Sequence, residues 1–144
     1  LDVGARDITQ KDDWTIRGHP DWIGTDIEKI EGLIQCKMES MPMFNDNSFD
    51  IIFICHSFEH CESPTHALRE FKRLLKEGGI IFISTPMHCN HQILEADLDH
   101  INVCTDIQMI RYLRYVELKL LMLYEAHNEN DEAKSNSMIT VVTK

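Results

Sequence analysis

The stretch His56-Ser57-Phe58-Glu59-His60 sets two imidazoles, a hydroxyl and a carboxylate in close succession. An imidazole exchanges its proton near neutral pH, so His60 is the candidate catalytic residue, a general base, the alternative being a loop histidine that hydrogen-bonds the backbone. His88, Cys89, His91, His100 and Cys104 gather in the loop region that follows. By residue type they could ligate a metal. No pair has zinc-finger spacing, so the region reads as a polar, substrate-side loop with no metal. Two carboxylates stand near short apolar runs, Asp2 just before Gly4, and Asp26 at the end of Trp22-Ile23-Gly24-Thr25-Asp26-Ile27. A carboxylate at a strand end can accept two sugar hydroxyls, or it can cap a turn. Asp50, at the start of an apolar run, reads as structural.

The elements that position these groups follow from periodicity. Phe49 to Cys55 is an apolar run broken by Asp50, which predicts a strand buried on both faces. Ser63-Pro64 predicts a helix start, with serine as N-cap and proline at the first helical position. Leu68, Phe71, Leu74 and Leu75 recur at helical spacing, and Gly78-Gly79 is expected to stop the helix. Ile80 to Ser84 is a second apolar strand. Strand, crossover helix and strand make a right-handed parallel unit, whose ligands bind beyond the carboxyl ends of the strands. His56 to His60 and Thr85 to His91 therefore fall at the functional edge. Shorter strands are predicted at 1–5, 22–27 and 33–38, with an irregular helix possible between 6 and 21. A helix from Thr105-Asp106, with Ile107, Met109, Ile110 and Leu113 on its apolar face, precedes strands at 116–124 and 137–143. The polar connection 127–136 is too short for a helical crossover, so the last two strands are antiparallel.

A chain of 144 residues is long enough for one domain, 1–144, with a real core. The net charge of −10 argues against broad neutralisation of phosphates, making nucleic acid an unlikely partner. Five cysteines without a CxxC pair read as reduced thiols, hence a cytoplasmic setting. No apolar run reaches the length of a membrane span, and no signal peptide is visible. The chain opens on Leu1 directly in a strand, which suggests truncation at the N-terminus.

With the strand ends placed, four stretches resemble class I S-adenosylmethionine-dependent methyltransferases, and most closely the methyltransferase type 11 group. LDVGA at 1–5 resembles the cofactor-binding first motif, and WIGTDI at 22–27 the second strand with its ribose-binding acid. ESMPMFNDNSFDIIFICHSFEH at 39–60 and ALREFKRLLKEGGIIFISTP at 67–86 resemble the fourth strand, the helix and the fifth strand. The resemblance implies an α/β, Rossmann-like three-layer sandwich. Its mainly parallel seven-stranded sheet has the order 3-2-1-4-5-7-6, with strand 7 antiparallel and the N-terminal helix absent. It implies S-adenosylmethionine as cofactor, bound by Asp2, Gly4, Ala5, Asp26, Ile27, Met38, Glu39 and His56. Gly4 would let the backbone approach the amino-acid part of the cofactor, Asp26 would hold the ribose, and Met38 and Glu39 would meet the adenine. Glu59 and His60 would lie at the mouth where a methyl acceptor, expected to be a small molecule, enters. Arg6 stands where the family usually has a second glycine, and Lys37 where it often has an aspartate. Two other readings remain open: a non-catalytic methyltransferase-like binding or scaffold domain, and a nucleotide-dependent oxidoreductase. Against the latter, no G-x-G-x-x-G follows the first strand.

Overall fold

The computed structural model describes residues 1–6, 20–86, 99–127 and 136–144. These carry seven strands, β1 Asp2–Val3, β2 Gly24–Asp26, β3 Ile34–Gln35, β4 Phe49–Cys55, β5 Leu75–Pro86, β6 Lys119–His127 and β7 Asn136–Thr143. Two α-helices accompany them, α1 Pro64–Leu74 and α2 Asp106–Val116, with a 3-10 turn at Phe58–His60. The strands form one sheet in the order β3-β2-β1-β4-β5-β7-β6. β1, β2, β3, β4 and β5 pair in parallel, while β7 runs antiparallel to both β5 and β6. This is the sheet that the resemblance implies. The irregular helix considered within 6–21 falls almost wholly outside the described residues, as do most of the histidine- and cysteine-bearing loop and of the connection before β7.

The hydrophobic core lies on one face of the sheet. Ile52 and Ile54 of β4 and Ile81 and Ile83 of β5 are fully buried there with Ala67, Leu68, Phe71 and Leu74 of α1. Met109, Leu113 and Val116 of α2 complete it. Two expectations about this core are corrected. β4 is buried on both faces only in its carboxyl half, where Ile52, Phe53 and Ile54 are all buried and Phe53 stacks on Phe82 at 5.1 Å between ring centroids; in its amino half Ile51 is 48% exposed. Strand periodicity sends alternate side chains to opposite faces, and an apolar run alone does not say that both are covered. On α2, Ile107 is 57% exposed and Val116 takes its place, because the buried stripe runs through positions 109, 113 and 116.

The ends of α1 also differ from expectation. The helix stops at Leu74, and Leu75 is already extended as the first residue of β5. Gly78-Gly79 is therefore no helix stop. It lies within an irregularity of β5, where pairing jumps from Phe49↔Leu75 to Ile51↔Ile80 and Gly78 takes φ +76°. At the other end Ser63 holds the N-cap position, but its side chain makes no capping hydrogen bond. The carboxylate of Glu39 does the work: its Oε1 accepts from the backbone amides of Glu62 at 2.6 Å and Ser63 at 3.2 Å. A negative charge is favoured at a helix N-terminus, where unpaired N–H groups converge.

Candidate active site

The carboxyl ends of β1, β2 and β4 meet where the chain order reverses, the usual ligand position in a doubly wound sheet. Gly4 takes φ +70°, and its amide and that of Ala5 both reach the Thr25 carbonyl at 2.9 Å. A Cβ on Gly4 would sit 2.4 Å from the Cβ of Ser57, whose buried hydroxyl donates to the Val3 carbonyl at 2.9 Å. The glycine is thus required by contact between the β1 turn and the residues after β4. Arg6 also adopts the left-handed region, at φ +51°. Its amide donates to Asp26 Oδ2 at 2.9 Å, and the Glu28 amide donates to Oδ1 at 2.9 Å. Asp26 therefore ties the β1 turn to the end of β2 and keeps one lone pair on each oxygen. Asp2 is buried and accepts from the indole nitrogen of Trp22 at 3.2 Å.

Of the residues implied as cofactor contacts, Asp2, Gly4, Ala5, Asp26 and Ile27 come together at the ends of β1 and β2. Ile27 presents an apolar side chain, 62% exposed, beside Asp26. Glu39 is drawn away from them to the amides that open α1, and Met38 is half-buried against the core. Lys37 pairs with Glu62 at 2.5 Å, on the same approach to α1.

Beyond β4, His56 adopts φ +49°, and its Nε2 lies 3.1 Å from the Ser137 hydroxyl. The 3-10 turn then directs Glu59 inward and His60 outward. Glu59 is 1% exposed, so it does not stand in an open mouth as expected. Its Oε2 accepts from Thr85 Oγ1 at 3.3 Å, while Oε1 is buried without a hydrogen bond. His56 Nδ1 stands 3.7 Å and His100 Nε2 3.9 Å from that oxygen. His60 Nδ1 lies 3.0 Å from the Asp99 carbonyl, and its ring meets that of His100 edge to face at 4.8 Å. The inward turn of Glu59 and the approach of His100 were not readable from spacing, because residue 100 is distant in the chain and only the fold brings it near. Cys61 and Cys104 are buried nearby, and burial pushes their thiols up to about 12 and about 11. Neither is a nucleophile near neutral pH. A cleft of about 450 Å³ lined by Arg69, Lys72, Arg73 and Lys144 lies near the amino end of β4. Its Lys72, Arg73 and Lys144 already bind carbonyls or carboxylates, so it is not the reactive site.

This sheet order and this switch-point site define the class I methyltransferase fold. Residues 20–83 match the family model described as "Methyltransferase domain", of the type 11 group. The uncharacterized protein YafE of Escherichia coli (strain K12) is 34% identical over 73 residues, 51% of this chain and 35% of YafE. The match thus spans about a third of that relative's length. Among solved structures, a SAM dependent methyltransferase from Archaeoglobus fulgidus superposes with a TM-score of 0.76 at 16% identity, covering 100% of this chain and 85% of the other. The 1,6-didemethyltoxoflavin-N1-methyltransferase of Burkholderia thailandensis, solved with bound 1,6-didemethyltoxoflavin and S-adenosylhomocysteine, gives a TM-score of 0.77 at 14% identity, covering 100% of this chain and 69% of the other. At such identities these structures speak for the fold. No described helix is long and apolar enough to cross a membrane.

Proposed function

We propose that this chain transfers a methyl group from S-adenosylmethionine to a small-molecule acceptor by direct displacement. The observation that carries the reading is Asp26: a nearly buried carboxylate at the end of β2, beside the switch point, with one lone pair left on each oxygen. That arrangement fits a ribose diol. The exposed Ile27 beside it offers an apolar surface to an aromatic base, and the Gly4–Ala5 turn sits against the His56–Ser57 segment across the same crevice. Bound there, S-adenosylmethionine would supply a methyl group activated on sulfonium sulfur. The chain supplies orientation: Asp26 holds the sugar, Asp2 steadies the β1 turn through Trp22, and His56 borders the crevice after β4. A fixed short approach of acceptor to methyl can account for much of the rate. His60 is the residue we place at the acceptor. Its Nδ1 must carry the proton, because the Asp99 carbonyl only accepts, and this leaves a lone pair on Nε2. Glu39 and Met38 have a lesser place in this reading, since Glu39 is already engaged at α1. The weakly acidic, buried thiols of Cys61 and Cys104 suit a reducing cytoplasm.

Thermal shift tests the reading. A ligand that binds only the folded state, present at a hundred times its dissociation constant, stabilises by about 2.7 kcal/mol. S-adenosylhomocysteine should raise the melting temperature, NAD should not, and Asp26→Ala should abolish the rise. No shift with either adenosyl compound would overturn the proposal. A second reading, cofactor binding without catalysis, draws on Arg6 in a glycine-type conformation and on Lys37 held by Glu62. It predicts the same shift with no release of S-adenosylhomocysteine across an acceptor panel.

A further inference from the structure

Glu59 presents an unsolved charge. Taking a carboxylate out of water is costly unless a cation or hydrogen bonds replace the lost solvent. Oε2 has the Thr85 hydroxyl, but Oε1 has no hydrogen bond. Among the described residues no lysine or arginine pairs with it, and the nearest basic atoms, His56 Nδ1 and His100 Nε2, stand at 3.7 and 3.9 Å. One donor atom from each of Glu59, His60 and His100 falls within 4.8 Å of the others. Two ligands about 2 Å from a tetrahedral ion lie about 3.3 Å apart, so the Glu59–His100 pair needs to close by only a fraction of an ångström.

The surroundings are those of a built site. The Asp99 carbonyl accepts a hydrogen bond from Nδ1–H of His60, fixing the ring and leaving the Nε2 lone pair available, which is the usual outer support of a metal-binding histidine. The segment that carries His100 is pinned to the 3-10 turn. The Asn102 amide donates to the Glu59 carbonyl at 2.8 Å, and the Asn102 side chain donates to the Cys61 carbonyl. Thr85 holds the second carboxylate oxygen. His100 is mostly buried and His60 is exposed, so a group held here is enclosed on one side and open to solvent on the other.

We propose that Glu59, His60 and His100 bind a divalent transition-metal ion such as zinc, cobalt or manganese. Two imidazoles and one carboxylate leave further coordination positions vacant, and these take oxygen ligands. Resting on the methyltransferase reading, the site favours an acceptor that carries a hydroxyl. The lone pair of His60 Nε2 then serves the ion, and His60 positions the acceptor through it instead of taking its proton.

Cobalt(II) is the probe, because its visible absorption reports ligation directly and needs neither cofactor nor acceptor. Titration of the metal-free chain should give one equivalent of bound cobalt. Zinc should displace it. Glu59→Gln and His60→Asn should each weaken binding by about 100-fold or more, above the range that outer supports alone produce. His60 is exposed, so its variant should fold even if the Glu59 variant does not. His66→Asn, on the exposed side of α1, is the surface control and should bind as the parent does. No bound equivalent, or one that survives His60→Asn and His100→Asn, would overturn the proposal. A methyltransferase with no metal site would shift with S-adenosylhomocysteine and fail here. A metal site on an inactive domain would show cobalt binding without methyl transfer.

Discussion

At the scale of single residues, Gly4 has a structural cause apart from the one the resemblance assigns. The resemblance assigns this glycine to cofactor approach, yet the structure requires it for two internal reasons, φ +70° and the Ser57 side chain 2.4 Å from where a Cβ would lie. Gly4→Ala should therefore destabilise the chain in the absence of any ligand, by about 2–4 kcal/mol from strain and overlap together. Adding Ser57→Gly should remove the overlap and leave the conformational part, about 1–2 kcal/mol. Urea denaturation of the single and double variants checks this; if the second change restores nothing, the contact is not the cause. Asp26 stood out in the sequence as a strand-terminal acid that could hold a ribose or cap a turn, and the two backbone amides that it receives became visible only in the structure. Glu59 was legible as chemistry but not as geometry. Nothing in Ser-Phe-Glu-His states that a 3-10 turn will bury the carboxylate and expose the imidazole after it.

At the scale of elements, α1 is held by side chains that its own sequence window does not contain. Ser63-Pro64 correctly marks where it begins, but the amides there are served by Glu39 from the segment before β4. Ser63→Ala should change stability by less than about 0.5 kcal/mol, and Glu39→Gln should cost about 0.5–1 kcal/mol as the charge at the helix N-terminus is lost. Chemical denaturation of both variants checks the ranking, and the reverse order would refute it. The middle of α1 has a similar tie. Arg73 bonds Glu70 through Nε and Nη2 at 2.9 and 2.7 Å, and also reaches the carbonyls of Met41 and Phe44. The Met41 amide in turn donates to Glu70 at 2.7 Å. The Arg73 guanidinium, ahead of all other causes, holds the Glu70 carboxyl below its ordinary 4.5. A depressed carboxyl stabilises the fold above its unfolded value and loses that contribution as pH falls through the folded value. Glu70→Gln should thus lower the melting temperature at pH 7, by an equivalent of about 1–2 kcal/mol, and the gap from the parent should close as pH falls through the depressed value of the folded carboxyl. A gap that persists in acid would assign the loss to packing. Helical periodicity separates apolar from polar faces and cannot show which polar side chains fold back onto a loop.

At the scale of the whole molecule, two local facts were legible, the parallel pairing within the strand–helix–strand unit and the antiparallel last pair joined by a connection too short for a crossover, while the full strand order was what the resemblance implies. The extent of each strand was not. β1 and β3 are each two residues long, because β1 ends in the left-handed turn at Gly4 and β3 is a short edge. The sheet is therefore uneven. β4, β5 and β7 are long and paired in succession, with β4 and β5 carrying the fully buried Ile52, Ile54, Ile81 and Ile83, while both residues of β3 are exposed. Local opening costs least where few apolar contacts hold the backbone, so hydrogen exchange should be graded across the sheet in its spatial order. The amides of Ile52, Ile54, Ile81 and Ile83 should exchange only through global unfolding and follow its denaturant dependence. The amides of Ile34, Gln35 and Cys36 should exchange through local opening that denaturant scarcely affects, although Cys36 donates to the Asp26 carbonyl at 2.8 Å. The candidate site spans this gradient: Glu59 follows the firm strand β4, while Asp26 closes β2, which lies next to the weak edge. A ribose held by Asp26 should consequently slow exchange at β2 and β3 and leave β4 unchanged. Native-state exchange with and without S-adenosylhomocysteine measures this, and equal protection of β3 and β4 in the free chain would show that the edge is not the soft side of the molecule.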